Sequence, residues 1–159
     1  MRKETKSSIL FLGTSVLLPV LFMLFFLSDN RKVEKIDLDH AEEMIHVEDY
    51  SIDAADIIDG NIYISGWLLE TLDSLENVNR AFVLSDNKNF YKLNTVMEER
   101  SDVTELKNTG QNYNNCGLIG NGLAEDLSAG QYQIGILIYN DRLERYFFTD
   151  KYLEVFGNE

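Results

Sequence analysis

From Ile9 to Leu27 the chain runs nineteen residues without a charged side chain, rich in Leu, Phe, Val and Met. At 1.5 Å of rise per residue, a helix over this stretch reaches about 28 Å, close to the thickness of a bilayer's hydrocarbon core. Gly13, Thr14, Ser15 and Pro19 are tolerable there, because a spanning helix satisfies a freed carbonyl locally. The competing reading is a cleaved leader, whose apolar core is shorter and ends in small residues. Here the run exits through Phe25-Phe26-Leu27-Ser28-Asp29, and no Cys follows it to carry a lipid. The sequence therefore predicts an uncleaved single-span anchor.

Lysine and arginine barely distinguish the two sides, since Arg2, Lys3 and Lys6 face Arg31, Lys32 and Lys35 across the run. The amino terminus tips the balance inward. The expected organisation is a cytoplasmic N-terminus at 1–8, a transmembrane helix at 9–27, a charged stalk or short helix at 28–46, and an extracytoplasmic domain at 47–159. One domain is all that this length accommodates.

The net charge is −13, and because Arg2, Lys3 and Lys6 outweigh Glu4, the part beyond residue 28 holds about −15. A nucleic-acid partner is disfavoured by that sign. Eight Tyr, nine Phe and one Trp argue for a packed core over disorder. The single Cys116 leaves no internal disulfide. Its two candidate bases, His40 and His46, fall before the regular strands, so a packed small residue is the better reading than a nucleophile.

Beyond the stalk the apolar residues switch to a period of two. Tyr132, Ile134, Ile136 and Ile138 alternate with Gln131, Gln133, Gly135, Leu137 and Tyr139, while Ile62, Ile64 and Leu68 oppose Tyr63, Ser65 and Trp67. Turn residues separate such runs at Asp59-Gly60-Asn61, Ser85–Asn89 and Asn140-Asp141-Arg142. Strands are expected at 48–57, 61–69, 79–85, 89–96, 131–140, 143–149 and 152–156, with another around 117–123. The fold class is all-β: an immunoglobulin-like or fibronectin-like β-sandwich of about 7–8 strands behind one transmembrane helix. Leu127-Ser128-Ala129-Gly130-Gln131-Tyr132 has the form of a tyrosine corner, in which the Tyr132 hydroxyl bonds back to backbone near Asp126 or Leu127.

Four short motifs follow one another: Ile64-Ser65-Gly66-Trp67, Arg100-Ser101-Asp102-Val103, Cys116-Gly117-Leu118 and Gly130-Gln131-Tyr132-Gln133-Ile134-Gly135. In order and spacing they resemble an accessory β-sandwich module of bacterial envelope proteins, over about residues 48–156. The module is similar to the C-terminal extracellular parts of Gram-positive membrane proteins of polysaccharide or glycopolymer assembly. The resemblance implies a place in the cell envelope and carries no catalytic residues. Leu68 and Leu118 depart from the module, which favours a small residue after the Trp and an aromatic after Gly117.

Candidate ligand-binding residues are Tyr63, Trp67, Arg100, Asp102 and Tyr113. Trp67 offers a ring face for a sugar, with Tyr63 on the same strand face, although a lone Trp in an alternating strand more often buries its area. Arg100 and Asp102 suit a grip on a ligand carboxylate or hydroxyl, or the fixing of a loop. Tyr113 sits in the Asn- and Gly-rich stretch 108–122, which reads as a long loop of the kind that carries function. Asp86, Asn87 and Asn89 lack the full ligand set of a calcium loop. His40 and His46 with Glu42 or Glu43 read as stalk before metal site.

No nucleotide loop, helical His pair or nucleophile elbow occurs. No catalytic residue, metal site or cofactor is assigned. The expected function is a non-enzymatic, membrane-anchored extracytoplasmic module that binds a glycan or another envelope protein. The alternative is a glycan-processing enzyme using Asp102 or the carboxylates Glu70, Asp73 and Glu76.

Overall fold

The computed structural model describes residues 19–20, 31–45, 47, 49–69 and 78–157. The chain divides into two compact units, 1–31 and 32–159. The expected span at 9–27 lies outside the described residues except for Pro19 and Val20, which are helical. Among the described residues no helix is long and apolar enough to cross a membrane. His46, Glu70, Asp73 and Glu76 also lie outside them.

The second unit is a two-sheet β-sandwich with ten strands among its described residues. They are β1 (Glu34–Ile36), β2 (Glu42–Glu43), β3 (Tyr50–Ile58), β4 (Asn61–Leu68), β5 (Asn79–Ser85), β6 (Phe90–Lys92), β7 (Asn94–Glu98), β8 (Gly117–Leu123), β9 (Gly130–Tyr139) and β10 (Glu144–Val155). The larger sheet has the order β1-β6-β5-β9-β10-β2 and the smaller β3-β4-β8-β7. One helix, α1 (Ser101–Lys107), lies between β7 and β8.

Local chemistry sets the hairpins. Asp59 and Gly60 both have positive φ, 49° and 74°, as a two-residue turn matched to strand twist requires, and Ile58 pairs with Asn61 across it. Asp86 closes the β5–β6 turn by accepting from the Lys88 and Asn89 amides at 2.9 and 2.7 Å and from the Asn89 side chain at 3.0 Å. The side-chain hydrogen bond from Asn89, followed by those from the two amides, holds the Asp86 carboxyl below its ordinary pKa. Asn140 accepts from the Arg142 and Leu143 amides in the β9–β10 turn.

The alternating faces meet between the sheets. Ile62, Ile64 and Leu68 of the small sheet pack with Phe82, Leu84, Ile134, Ile136 and Ile138 of the large one, all buried. Gly120 and Gly122 face this core, where a Cβ would stand 2.7 Å from Phe82 and from Val33 respectively. Tyr132 is buried and donates to the Ser128 carbonyl at 2.9 Å, one residue from the acceptor expected.

Three segments differ from the sequence expectation. The stretch 89–96 is not one strand: it passes from one sheet to the other at buried Leu93, whose amide bonds the Phe82 carbonyl at 3.0 Å. Conversely, 143–149 and 152–156 form the single strand β10, interrupted by a bulge between Phe148 and Tyr152. There the Thr149 side chain turns inward to donate to the Ile134 carbonyl at 2.8 Å.

The third difference is in the expected stalk. Residues 34–36 and 42–43 add strands to opposite edges of the large sheet, β1 on β6 and β2 in parallel with β10. The intervening Asp37–Ala41 thus crosses the sheet's outer face, and Leu38, 3% exposed, seats against Val83 and Leu137. Lys92–Glu34 at 2.7 Å and Arg145–Glu42 at 2.8 Å pin the two ends. Of the apolar residues scattered through this charged segment, Ile36, Leu38 and Ala41 pack on this outer face, and Val33 and Met44 pack against the main core.

Candidate functional site

The outer face of the small sheet carries most of the residues of interest. Because Ile62 and Ile64 point into the core, Tyr63, Ser65 and Trp67 of β4 point away from it. The register then defines cross-strand rows. Trp67 lies opposite Ser51 and Gly117, Ser65 opposite Ala54 and Ile119, and Tyr63 opposite Asp56 and Asn121. On β7, Val96 continues the Ser65 row and Asn94 the Tyr63 row.

The Trp67 end of this face is covered. Residues 99–116 leave β7, form α1, and return through a loop and a single 3-10 turn at Asn114–Cys116. Asp102 in the first turn and Lys107 in the last oppose the helix dipole favourably, and Asn108 ends the helix in the left-handed conformation. Val103, 1% exposed, and Cys116, 4% exposed, pack with Trp67, flanked by Leu69 and Tyr113. Trp67 is therefore 9% exposed, buried outside the main core, with the Lys107 ammonium 5.4 Å from its ring centre. Its ring face is not open to a sugar.

Arg100 fastens this cap. Its guanidinium grips Asp102 with two hydrogen bonds, at 2.8 and 2.7 Å, and reaches Asp53 of β3 at 2.6 Å. Asp53 is presented by a bulge in β3, where pairing skips from Ile52 to Ala54. The Asp102 hydrogen bonds and then Asp53 raise the Arg100 pKa, and the Arg100 contact holds the Asp102 carboxyl below its ordinary value. Gly117 is required beneath it, since a Cβ there would stand 2.5 Å from the Arg100 Cγ and 2.6 Å from the Glu98 carbonyl oxygen. Lys107 pairs with Asp49 on the same side.

Tyr113 is tied into the cap's own network. Its amide donates to Thr104 at 2.8 Å, and its hydroxyl donates to the Gln111 side chain at 2.5 Å. With Leu68, Arg80, Asn115 and Cys116 it borders an open cleft of about 170 Å³. Burial pushes the Cys116 thiol pKa up, which keeps it protonated and unreactive at neutral pH.

The structure thus brings Trp67, Arg100, Asp102 and Tyr113 together at one cap, and leaves half-buried Tyr63 on the part of the same face outside that cap. Of the Asn- and Gly-rich stretch 108–122, only residues up to 113 are loop, because Gly117–Leu123 pairs on both sides as β8, the additional strand expected around 117–123. Asp53 and Asp56 are signalled in the sequence only as two carboxylates inside a nine-residue strand that is otherwise apolar apart from Ser51. Asn121, between two inward-facing glycines, was legible only as part of an Asn- and Gly-rich stretch. Comparison with protein-family models, with curated proteins and with solved structures returned no match.

Proposed function

We propose that this chain is a non-enzymatic glycan-binding module of the bacterial cell envelope, held outside the cytoplasmic membrane by a span at 9–27. The observation that carries the binding reading is the row Asp56–Tyr63–Asn121–Asn94 across the outer face of the small sheet. An aromatic ring at mid-sheet supplies the flat apolar surface that a pyranose C–H face stacks on. The flanking carboxylate and amides supply acceptors and donors for ring hydroxyls.

The module itself reads as immunoglobulin-like. The sheet β3-β4-β8-β7 and the central strands β6-β5-β9-β10 have the A-B-E-D and C′-C-F-G orders of that class, and the Tyr132–Ser128 bond has the position of its tyrosine corner. The glycan reading agrees with the resemblance to modules of glycopolymer assembly. An envelope protein is the other partner class for the same face. The carboxylate alternative is weakened because Asp102 is committed to Arg100.

The test is a glycan array probed with the full-length chain in nanodiscs. Binding to envelope sugars, lost in Tyr63→Ala and kept in Tyr152→Ala, supports the reading. Array silence, with capture of a membrane protein through the same face, replaces the glycan with a protein partner. Release of the native chain from membranes by alkaline carbonate removes the anchor.

A further inference from the structure

The part of this face outside the cap has a sign as well as a shape. Its Tyr63 row holds the exposed carboxylate of Asp56, and Glu98 at the Trp67 end is exposed too. Among the described residues on this side, Arg100 is engaged by Asp53 and Asp102, and Lys107 by Asp49 and the Trp67 ring. The surrounding chain adds a strong negative field. An anionic polymer carrying phosphate or uronate groups is repelled here, and a neutral sugar leaves the Asp56 carboxylate without a charged partner.

Resting on the glycan reading above, we infer that the ligand class is a hexosamine polymer with free amino groups. The sugar's apolar face stacks on Tyr63, its ammonium meets the Asp56 carboxylate on one side, and its hydroxyls meet the Asn121 amide on the other. Three interstrand spacings make the row roughly 14 Å wide, enough for about two linked rings running across the strands.

The experiment uses the full-length chain in zwitterionic nanodiscs at 0.15 M salt, with a glucosamine hexamer, an N-acetylglucosamine hexamer and a galacturonate hexamer as probes. The expected result is binding of the glucosamine hexamer about fivefold or more tighter than the acetylated one, as one exposed charge pair allows, with no binding of galacturonate. Asp56→Asn removes that preference, bringing the glucosamine hexamer's affinity down to that of the acetylated hexamer for the same variant, and Tyr63→Ala abolishes binding of both. Equal or tighter binding of the acetylated hexamer, still sensitive to Tyr63→Ala, overturns the amino-sugar inference and leaves the glycan reading intact. Failure of every sugar to bind overturns both. Glucosamine binding that ignores Tyr63→Ala is polycation adsorption to an acidic protein and also overturns the inference.

Discussion

Single residues on this fold do jobs that neighbours in sequence do not share. The Tyr132 hydroxyl ties the approach of β9 to its own strand, and Tyr132→Phe removes one hydrogen bond while keeping the ring's burial. The expected loss is about 1 kcal/mol, read as a lower urea midpoint with an unchanged slope. Gly117 is selected by the space Arg100 needs, so Gly117→Ala is expected to cost about 1–3 kcal/mol. It also lifts the cap from Trp67, which shifts that residue's fluorescence to the red. Asp86 and Asp102 have depressed pKa values when folded, from the Asn89 and Arg100 hydrogen bonds respectively. Their stabilisation is complete above the ordinary value of 3.8 and is lost as pH falls through the depressed values. Acid unfolding below about pH 4 in the parent, made shallower by Asp86→Asn with Asp102→Asn, is the expected outcome.

At the scale of elements, two short segments are held to the sandwich by a few contacts each. The cap depends on the Arg100 link between α1 and β3. Arg100→Ala is expected to raise the rate at which a maleimide reaches Cys116 by about tenfold, equivalent to some 1.4 kcal/mol of lost closing free energy. Denaturant stability should change by less than local opening does, because the main core is untouched. The strap at 37–41 depends on Leu38. Leu38→Ala should speed amide exchange at Glu34–Ile36 and Glu42–Glu43 while leaving β9 protected. If β9 exchange accelerates equally, the strap is part of the global folding unit.

For the whole molecule, the segment expected to be a stalk is also a part of the sheet. Charged residues of the expected stalk close both edges of the large sheet, where open strands invite association with other chains. The compact unit 32–159 therefore begins before the boundary that composition suggests at residue 47. Removing residues 1–31 should leave a β-rich domain that unfolds in one transition, whereas cutting at 47 should lower its midpoint and promote self-association. Circular dichroism and sedimentation of the two fragments check this.

The period-two pattern was enough to read the sandwich's central strands, because a strand buried on one face must alternate and Ile62, Ile64, Ile134, Ile136 and Ile138 do so. Turn residues placed the hairpins for an equally local reason, the positive φ or Asx bonding that few residues supply. Three decisions were taken only in three dimensions. Leu93 switches sheets, Leu38 finds a seat on a face formed by strands some fifty to a hundred residues away, and Arg100 reaches a carboxylate that a bulge presents. Tertiary pairing likewise puts Asn121 and Asp56 beside Tyr63, in a row across three strands that no spacing along the chain connects. Periodicity reports whether a side chain is hidden, since that depends on one strand's own pleat; what hides it, or stands next to it, depends on register between strands, which the pleat does not encode.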